Sequence, residues 1–170
     1  IQSGCAVDAN GQVQGSMGIA IGDLQGDLIA DLFVTNFSNE LSAFYTGRSR
    51  GSFRFQSPQV GIKILGPSQV SWGTVLQDFD RDGDDDLMIV SGHVDRTNEF
   101  YKQRPTLMEN QGGRFIDRTE IAGGYFSESW AARALATFDH DRDGNMDCVV
   151  SHLDERSHVL RNTTKSEGGY

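Results

Sequence analysis

The residues with the clearest chemical potential form a nine-residue acidic stretch that begins at Asp78 and ends at Asp86. Carboxylates occupy alternate positions of this stretch, and a glycine, Gly83, follows the third of them. Ligand sets made only of oxygen suit a hard cation, above all calcium. Side chains at positions one, three, five and nine and the backbone carbonyl at position seven would then bind the ion. The candidate ligands are Asp78, Asp80, Asp82, Asp84 and Asp86.

A second copy of this stretch follows later in the chain and repeats it position for position. Its candidate ligands are Asp139, Asp141, Asp143, Asn145 and Asp147. The loops start roughly 60 residues apart, and internal repeats of this length point to propellers, solenoids or arrays. The sequence therefore predicts one calcium ion at each of these two loops.

Another copy lies earlier in the chain and departs from the pattern. In chain order, the loops at 23–31, 78–86 and 139–147 are called the first, second and third loops. Its candidate ligands are Asp23, Gln25, Asp27, Ile29 and Asp31. Gln25 stands in place of an acidic ligand, although an amide oxygen can still bind calcium. Leu28 stands where the other loops have glycine, and leucine resists the positive φ that the turn requires. Whether this loop binds a third ion is left open.

The spacing distinguishes these loops from EF-hands, which need a bidentate glutamate at position twelve and helices on both sides. Position twelve is Ile89 in the second loop and Val150 in the third. Short runs of apolar and β-branched residues follow each loop and are typical of strands. We therefore expect each loop to close at position nine and to join two strands.

The pattern of apolar runs predicts an all-β fold of β-propeller blades. In the first repeat, strands are expected at Met17–Gly22, up to Asn36, at Leu41–Thr46 and at Ser52–Gln56, with a turn at Gly47–Gly51. Four antiparallel strands are the content of one blade. The expected organisation is a connection at 1–16, blades at 17–60 and 61–124, a partial blade at 125–164 and a tail at 165–170. About three such blades would form part of a larger propeller.

Composition excludes several classes of partner. The chain of 170 residues has a formal net charge of −9, which argues against a nucleic-acid or anionic membrane surface. No apolar run approaches the length of a membrane span. The sequence is interpreted as a piece of a longer protein, so the lack of a leader says nothing about export. Cys148 takes the place of Leu32 and Leu87 and is expected to be a buried thiol, and a disulfide with Cys5 is left open.

No catalytic residue is predicted. The sequence has no Gly-x-Ser-x-Gly elbow, no phosphate-binding loop and no His-Glu-x-x-His motif. None of the four histidines lies at a spacing typical of metal ligands. The histidines are His93, His140, His152 and His158. Met17, Trp72 and Arg133 each lie six residues before a loop. All three could line a pocket near the propeller axis; alternatively, Met17 and Trp72 pack between blades.

Residues around the loops point to a family. Asp31 to Phe37, the Trp72-Gly73-Thr74 triplet, Ser91 to Val94 and Leu107 to Asn110 resemble FG-GAP/VCBS repeat proteins. The resemblance covers nearly all of residues 15–164. It lies in the ASPIC/UnbV, cartilage acidic protein-like, branch, although the ASPIC/UnbV domain itself is absent.

The resemblance implies a calcium-binding β-propeller like the integrin α-subunit head. It also implies a secreted, periplasmic or cell-surface location and no established reaction. The expected function is a non-catalytic module that binds a protein or glycan, to which the long polar excursion at Gly92–Arg104 is suited. Exposed blade edges would favour self-association. The alternative is part of a propeller enzyme whose active site needs other blades.

Overall fold

The computed structural model describes residues 3–63 and 68–165 and is all-β, as expected. The first sheet contains β1 (Ser16–Gly22), β2 (Asp31–Asn36), β3 (Ala43–Arg48) and β4 (Ser52–Phe55). The second contains β5 (Ser71–Gln77), β6 (Asp86–Ser91), β7 (Thr106–Asn110) and β8 (Phe115–Asp117). The third contains β9 (Ala132–Phe138), β10 (Asp147–His152) and β11 (His158–Leu160). Each sheet is an antiparallel meander in chain order, which is the topology of a propeller blade. Of the expected tail, only Lys165 lies within the described residues.

The three sheets stack face to face and enclose two hydrophobic cores. Strand β6 is buried along its whole length because it has a neighbouring sheet on each side. Leu87 and Ile89 pack into the core shared with Phe33 and Phe44 of the first sheet. Met88 and Val90, on the opposite face, pack into the core shared with residues of the third sheet. This alternation follows from the two-residue period of a strand.

The inner strands β1, β5 and β9 lie side by side, and small residues bring them together. A Cβ atom at Gly18 would lie 2.1 Å from the Trp72 carbonyl oxygen, and one at Gly73 would lie 2.6 Å from the Leu135 nitrogen. The Arg133 guanidinium lies 4.5 Å above the Trp72 ring. Trp72 donates through Nε1 to the Gly92 carbonyl at 2.8 Å. Trp72 therefore packs between neighbouring blades, as the packing interpretation expects, and Arg133 provides the contact from the third blade. Met17, for which the same packing was expected, is instead 37% exposed, because it lies on the face of β1 that points away from the second blade.

Strand β3 lies two residues later than the sequence predicts, and the expected turn at Gly47 is wrong. Gly47 remains in the strand because its N–H donates at 2.8 Å to Oδ1 of Asp31, the last residue of the first loop. A Cβ atom there would lie 2.2 Å from the Ala30 carbonyl oxygen. The glycine that suggested a turn is instead required by close contact with the loop.

The segment between β8 and β9 contains more helix than its glycines suggest. A short 3-10 helix spans Thr119–Ile121 and a one-turn helix, α1, spans Gly124–Ser127. Phe126 of α1 is buried in the second core. Packing of this one side chain, rather than helix propensity, explains the turn.

Cysteine and membrane expectations can be compared directly with the structure. Cys5 and Cys148 are both free, so the disulfide left open above is not formed. Cys148 is buried, with Sγ 3.6 Å from Sδ of Met88. Within residues 3–63 and 68–165, no helix combines the length and apolar character needed to cross a membrane.

Candidate metal-binding loops

The second loop lies between β5 and β6 and gathers three of its predicted ligands. Carboxylate oxygens of Asp78, Asp80 and Asp82 all lie within 4.8 Å of one another. Asp78 accepts the backbone N–H groups of Arg81 at 2.6 Å and Gly83 at 3.1 Å, so its carboxylate holds the turn closed. Gly83 has a φ of 98°, the left-handed conformation that the sequence predicts for this position.

The third loop lies between β9 and β10 and forms a similar cluster. Carboxylate oxygens of Asp139, Asp141 and Asp147 lie within 4.8 Å of one another. Asp139 accepts the N–H groups of Asp143 at 3.2 Å and Gly144 at 3.1 Å. Asn145 is 7% exposed, and its Oδ1 is a buried acceptor without a hydrogen-bond partner in the described part of the chain. This loop therefore contains an oxygen whose bonding capacity is unused.

The first loop keeps the backbone conformation but does not gather three carboxylates. Asp23 accepts the N–H groups of Asp27 at 3.1 Å and Leu28 at 2.7 Å, as the first aspartate does in the other loops. Leu28 adopts a φ of 63° and is 95% exposed. Leucine therefore does take the left-handed conformation, with its side chain in solvent. Among the described residues, three-carboxylate clusters are found in the second and third loops.

Position four is also left-handed in all three loops, which the sequence analysis missed. Gly26, Arg81 and Arg142 have φ values of 67°, 67° and 63°. The glycine of the first loop has moved from position six to position four. The different position of glycine in the first loop was the sequence signal that could have indicated a left-handed residue at position four.

The aspartate at position nine, a predicted metal ligand, also fastens each loop to its own sheet. Asp86 accepts the Phe79 N–H at 3.1 Å through Oδ2 and the Asn110 N–H at 2.9 Å through Oδ1. Asp31 and Asp147 make the same pair of contacts, with Leu24 and Gly47 and with His140 and Asn162 respectively. The position-nine carboxylate is therefore a structural anchor whether or not an ion is bound.

Each of the first two loops also accepts a hydrogen bond from an asparagine of the following blade. Asn110 donates through Nδ2 to the Leu24 carbonyl at 3.2 Å, and Asn162 donates in the same way to the Phe79 carbonyl at 2.7 Å. Both acceptors are at position two of a loop in the preceding blade. Each loop is thus fixed by its own sheet through position nine and by the next sheet through asparagine.

Asp85 provides a further contact between loops. Position eight is apolar in the other two loops, where it is Ala30 or Met146. The Asp85 Oδ2 instead accepts the Asp23 N–H at 3.2 Å, across the boundary between the first and second blades. The acidic residue that departs from the pattern therefore links two loops.

The residue before each asparagine anchor differs in charge between blades. Strand register places Met108 opposite Leu87 and Leu160 opposite Cys148, so the next residues, Glu109 and Arg161, are equivalent. Arg161 Nη2 lies 2.5 Å from Asp141 Oδ2 and 3.6 Å from Asp143 Oδ2. Glu109 instead pairs with Arg118 at 2.7 Å.

Burial and local charge shift the pKa values of several loop carboxylates. Burial raises the pKa of Asp86 to about 7. Burial also raises the pKa of Asp80, and the neighbouring charges of Asp82, Glu109 and Asp78 act in the same direction. The pKa of Asp143 is lowered, chiefly by the backbone N–H of Asn145 and also by Arg161. A bound cation would favour the ionised form of all of these groups.

A cleft of about 670 Å³ lies beside the second loop, between the second and third sheets. Its lining includes Asp80 and Glu109 of the second blade, Val159 of the third blade, and Ile121 and Tyr125 of the segment between β8 and β9. Ile121 is 78% exposed and Val159 is 53% exposed. The cleft therefore combines carboxylates with accessible apolar surface.

Two histidines without metal-ligand spacing meet in the third blade. The rings of His152 and His158 are 4.9 Å apart, and both contact Trp130 and Tyr125. His158 pairs with Val150 across the hairpin, which places it on the same face as His152 two residues later. The register of this hairpin was the signal that could have predicted the meeting. His140, at position two of its loop, is exposed as expected.

Comparison with known proteins agrees with the geometry of the blades. A family model described as FG-GAP-like repeat matches residues 23–89 and again residues 78–150. The chain belongs to the FG-GAP-like repeat family, as the sequence resemblance indicated, and is a β-propeller-like module. It is similar to cartilage acidic protein 1 of Homo sapiens, with 29% identity over 143 residues. That match covers 84% of this chain and 20% of the relative's length.

Proposed function

We propose that this chain is a calcium-stabilised, non-catalytic section of a β-propeller that binds a protein or glycan outside the cytoplasm. The observation that carries the proposal is that three-carboxylate clusters, sharing positions one and three, occur in two of the repeats. Asp78, Asp80 and Asp82 form the cluster of the second blade, and Asp139, Asp141 and Asp147 form that of the third. Both clusters occur where the inner strand of a blade turns into the next strand.

The chemistry of the donors favours calcium. The clusters offer carboxylate oxygens and loop carbonyls, which suit the 6–8 oxygen ligands and the roughly 2.3–2.6 Å distances that calcium takes. The unused Oδ1 of Asn145 adds a buried oxygen in the third loop. An ion at either loop would offset repulsion between aspartates. It would also hold together the two strands that the loop joins.

Thermal unfolding tests the metal. A ligand that binds only the folded state stabilises it by about 2.7 kcal/mol at a hundredfold excess over its dissociation constant. A chelator is therefore expected to lower the melting temperature, and calcium is expected to restore it better than magnesium, which prefers a small octahedral shell. Asp80→Ala and Asp141→Ala should each remove about half of the calcium effect, since each disables one of two similar sites.

Two further variants serve as controls for that experiment. Gln25→Ala should change the calcium effect little, because Gln25 is exposed in the loop without a three-carboxylate cluster. The double variant Asp80→Ala/Asp141→Ala should show no calcium effect. Calcium stabilisation that persists in the double variant would contradict the proposed sites.

The excursion between β6 and β7 supports a binding role because it is held in place. Arg96 and Tyr101 both contact Asp154 of the third blade, at 2.8 Å and 3.0 Å. Lys102 forms an ion pair with Glu155. Val94 and Phe100 remain 49% and 44% exposed. A fixed loop that presents apolar side chains loses little entropy when a partner binds.

A location outside the cytoplasm is supported by the calcium chemistry and by the family resemblance. Extracellular modules bind calcium with dissociation constants of about 10⁻⁴–10⁻³ M, which external calcium saturates at least partly. The two free thiols place no demand on an oxidising compartment. Secretion of the natural full-length protein into the medium, or its recovery from the cell surface, is the expected outcome of fractionation.

The non-catalytic part of the proposal rests on the side chains that the fold brings together. Outside the loops, the histidines that come together in the described part of the chain are His152 and His158, and Tyr125 is hydrogen-bonded to His152. No serine or cysteine nucleophile is hydrogen-bonded to either histidine in this part of the chain. Glycoside, ester, peptide and phosphoester substrates should therefore give no turnover. If turnover is observed and is abolished by His93→Ala or His152→Ala, the result would favour the enzyme alternative.

A second copy of the chain is also a proposed partner. Met17, Ile19 and Ile21 lie on one face of β1 and are 37%, 60% and 64% exposed. The opposite face of β1 packs against the second blade. An apolar face of this kind is normally covered by another element. Self-association of the isolated chain through this face is therefore expected.

A further inference from the structure

We propose that Arg161 and Glu109 set different calcium affinities at the two loops, with Arg161 acting as a built-in competitor at the third. The inference rests on the proposed function, since it concerns the ions assigned to these loops. It adds a regulatory property that the ligand residues alone do not give. Four of the five predicted ligands are aspartates in both loops, while Asn145 and Met146 of the third loop replace Asp84 and Asp85 of the second. The residue beside each loop adds to this difference in charge, and its own effect can be separated by substitution.

Strand register and hydrogen bonds show that the two residues are equivalent. Each directly precedes the anchor, Asn110 or Asn162, whose N–H donates to the position-nine aspartate. Each therefore lies at the end of the third strand of its blade, beside that blade's own loop. The same position in the first blade is Thr46, which precedes Gly47 and carries no charge. The three blades thus place neutral, acidic and basic residues at one site.

At the third loop, the guanidinium contacts two predicted ligands. Arg161 Nη2 is 2.5 Å from Asp141 Oδ2 and 3.6 Å from Asp143 Oδ2. The guanidinium partly neutralises the loop in the absence of metal. A calcium ion must displace it or accept repulsion from a positive charge close to its ligands. Arg161 is 59% exposed, so it has room to move into solvent.

At the second loop, the equivalent residue has the opposite effect. The Glu109 carboxylate adds a negative charge near Asp80, and Arg118 pairs with Glu109 rather than with the loop. Within residues 3–63 and 68–165, no Lys or Arg nitrogen forms an ion pair with Asp78, Asp80 or Asp82. The second loop therefore has an anion beside it, partly offset by Arg118, where the third loop has the cation Arg161. The second loop should fill first, and the third should respond at higher calcium.

Calorimetric titration with calcium tests this order of affinities. Two variants, each with one loop disabled, allow the other loop to be measured alone. Asp80→Ala leaves the third loop as the reporter, and Asp141→Ala leaves the second. In the first background, Arg161→Gln should tighten calcium binding about tenfold, whereas Arg161→Lys, which keeps the charge, should leave it near the starting value. In the second background, Glu109→Gln should weaken binding about threefold.

A second readout distinguishes competition from a structural role of the arginine. In chelator, Arg161→Gln should lower the melting temperature, because Asp141 and Asp143 lose their partner. In excess calcium the same variant should melt at or above the unsubstituted protein. This change of sign is not expected of a residue that only supports the fold. The affinity difference between the loops should also narrow as salt rises, because screening weakens charge effects.

The outcomes identify which idea has failed. Calcium binding at both loops with no effect of Arg161→Gln, or with weaker binding in that variant, overturns the competition and leaves the proposed function standing. No calcium binding at either loop overturns the proposed function and the competition with it. Tightening by Arg161→Gln and by Arg161→Lys alike would show that size rather than charge is responsible, which also overturns the inference.

Discussion

Asn162 donates a 2.7 Å hydrogen bond from Nδ2 to the carbonyl oxygen of Phe79, 83 residues earlier in the chain. The N–H of Phe79 itself donates to Asp86, the last residue of the second loop. The residue at position two is therefore held on one side by its own blade and on the other by the next. Loop conformation and the docking of neighbouring blades are coupled through this one residue.

This coupling predicts that the two asparagines stabilise the fold unequally. Asn110 is fully buried, donates to Leu24 and accepts the Gly113 N–H at 2.9 Å, whereas Asn162 is only partly buried. Asn110→Ala should lower the free energy of unfolding by about 2–3 kcal/mol, and Asn162→Ala by about 1 kcal/mol. Urea denaturation of the two variants measures this difference. Equal losses would indicate that burial does not control the strength of the contact.

Backbone strain at position six gives a second prediction. Leu28 has a φ of 63° and an exposed side chain, so its strain has no compensating contact of its own. Leu28→Gly should raise the free energy of unfolding by up to about 1 kcal/mol, because relief of the left-handed strain exceeds the entropy that glycine adds to the unfolded chain.

The matched control for this position is Gly83, which has a φ of 98° and open space within 4 Å of the point where a Cβ atom would lie. Gly83→Leu should lower the free energy of unfolding by about 1–2 kcal/mol through backbone strain alone. Both variants are compared by thermal melting in chelator, so that metal binding does not contribute. A loss of stability in Leu28→Gly would contradict the assignment of strain.

The pH dependence of stability is expected to include a contribution from His152. Burial lowers the pKa of His152, and His158 and Lys102 act in the same direction. The hydrogen bond with the Arg156 carbonyl and the charge of Glu155 oppose this shift without reversing it. A base with a lowered pKa in the folded state prefers to be neutral there. Its contribution is therefore fully present above the unfolded pKa of about 6.5 and is lost as pH falls through the lower folded value.

Denaturation at pH 7.5 and 5.5 in saturating calcium measures this contribution, because an ion bound as proposed at the second loop would keep Asp86 ionised. The unsubstituted protein should lose stability on acidification, and His152→Gln should lose less. His140→Gln, at an exposed histidine, is the comparison variant. An identical pH dependence in all three proteins would exclude the buried histidine as a cause.

Self-association can be tested on the exposed face of β1. Ile19→Lys and Ile21→Lys place charge on side chains that are 60% and 64% exposed, so the monomer should keep its fold. Sedimentation of the unsubstituted chain should show a concentration-dependent oligomer, and each variant should shift the population toward monomer. Unchanged sedimentation in both variants would place the contact on another surface.

The sequence by itself determined the blades and the loops. Alternate aspartates with a glycine at position six are a local pattern, and the apolar runs after them have the two-residue period of strands. The repeats therefore predicted the all-β fold, the order of strands and the residues that form the two carboxylate clusters. These features depend on neighbours in sequence, which a single chain displays directly.

Only the tertiary structure decided what surrounds each loop. The contacts of Asn162 with Phe79 and of Asp85 with Asp23 join residues about 60 or more positions apart, and no local pattern indicates them. The charge of Arg161 affects the third loop because strand register places this residue beside Asp141. Gly47 was predicted to lie in a turn, but its N–H donates to Asp31 and keeps it in strand β3. Long-range packing selects among conformations that local sequence allows, and for this reason the environment of the loops could not be read from spacing alone.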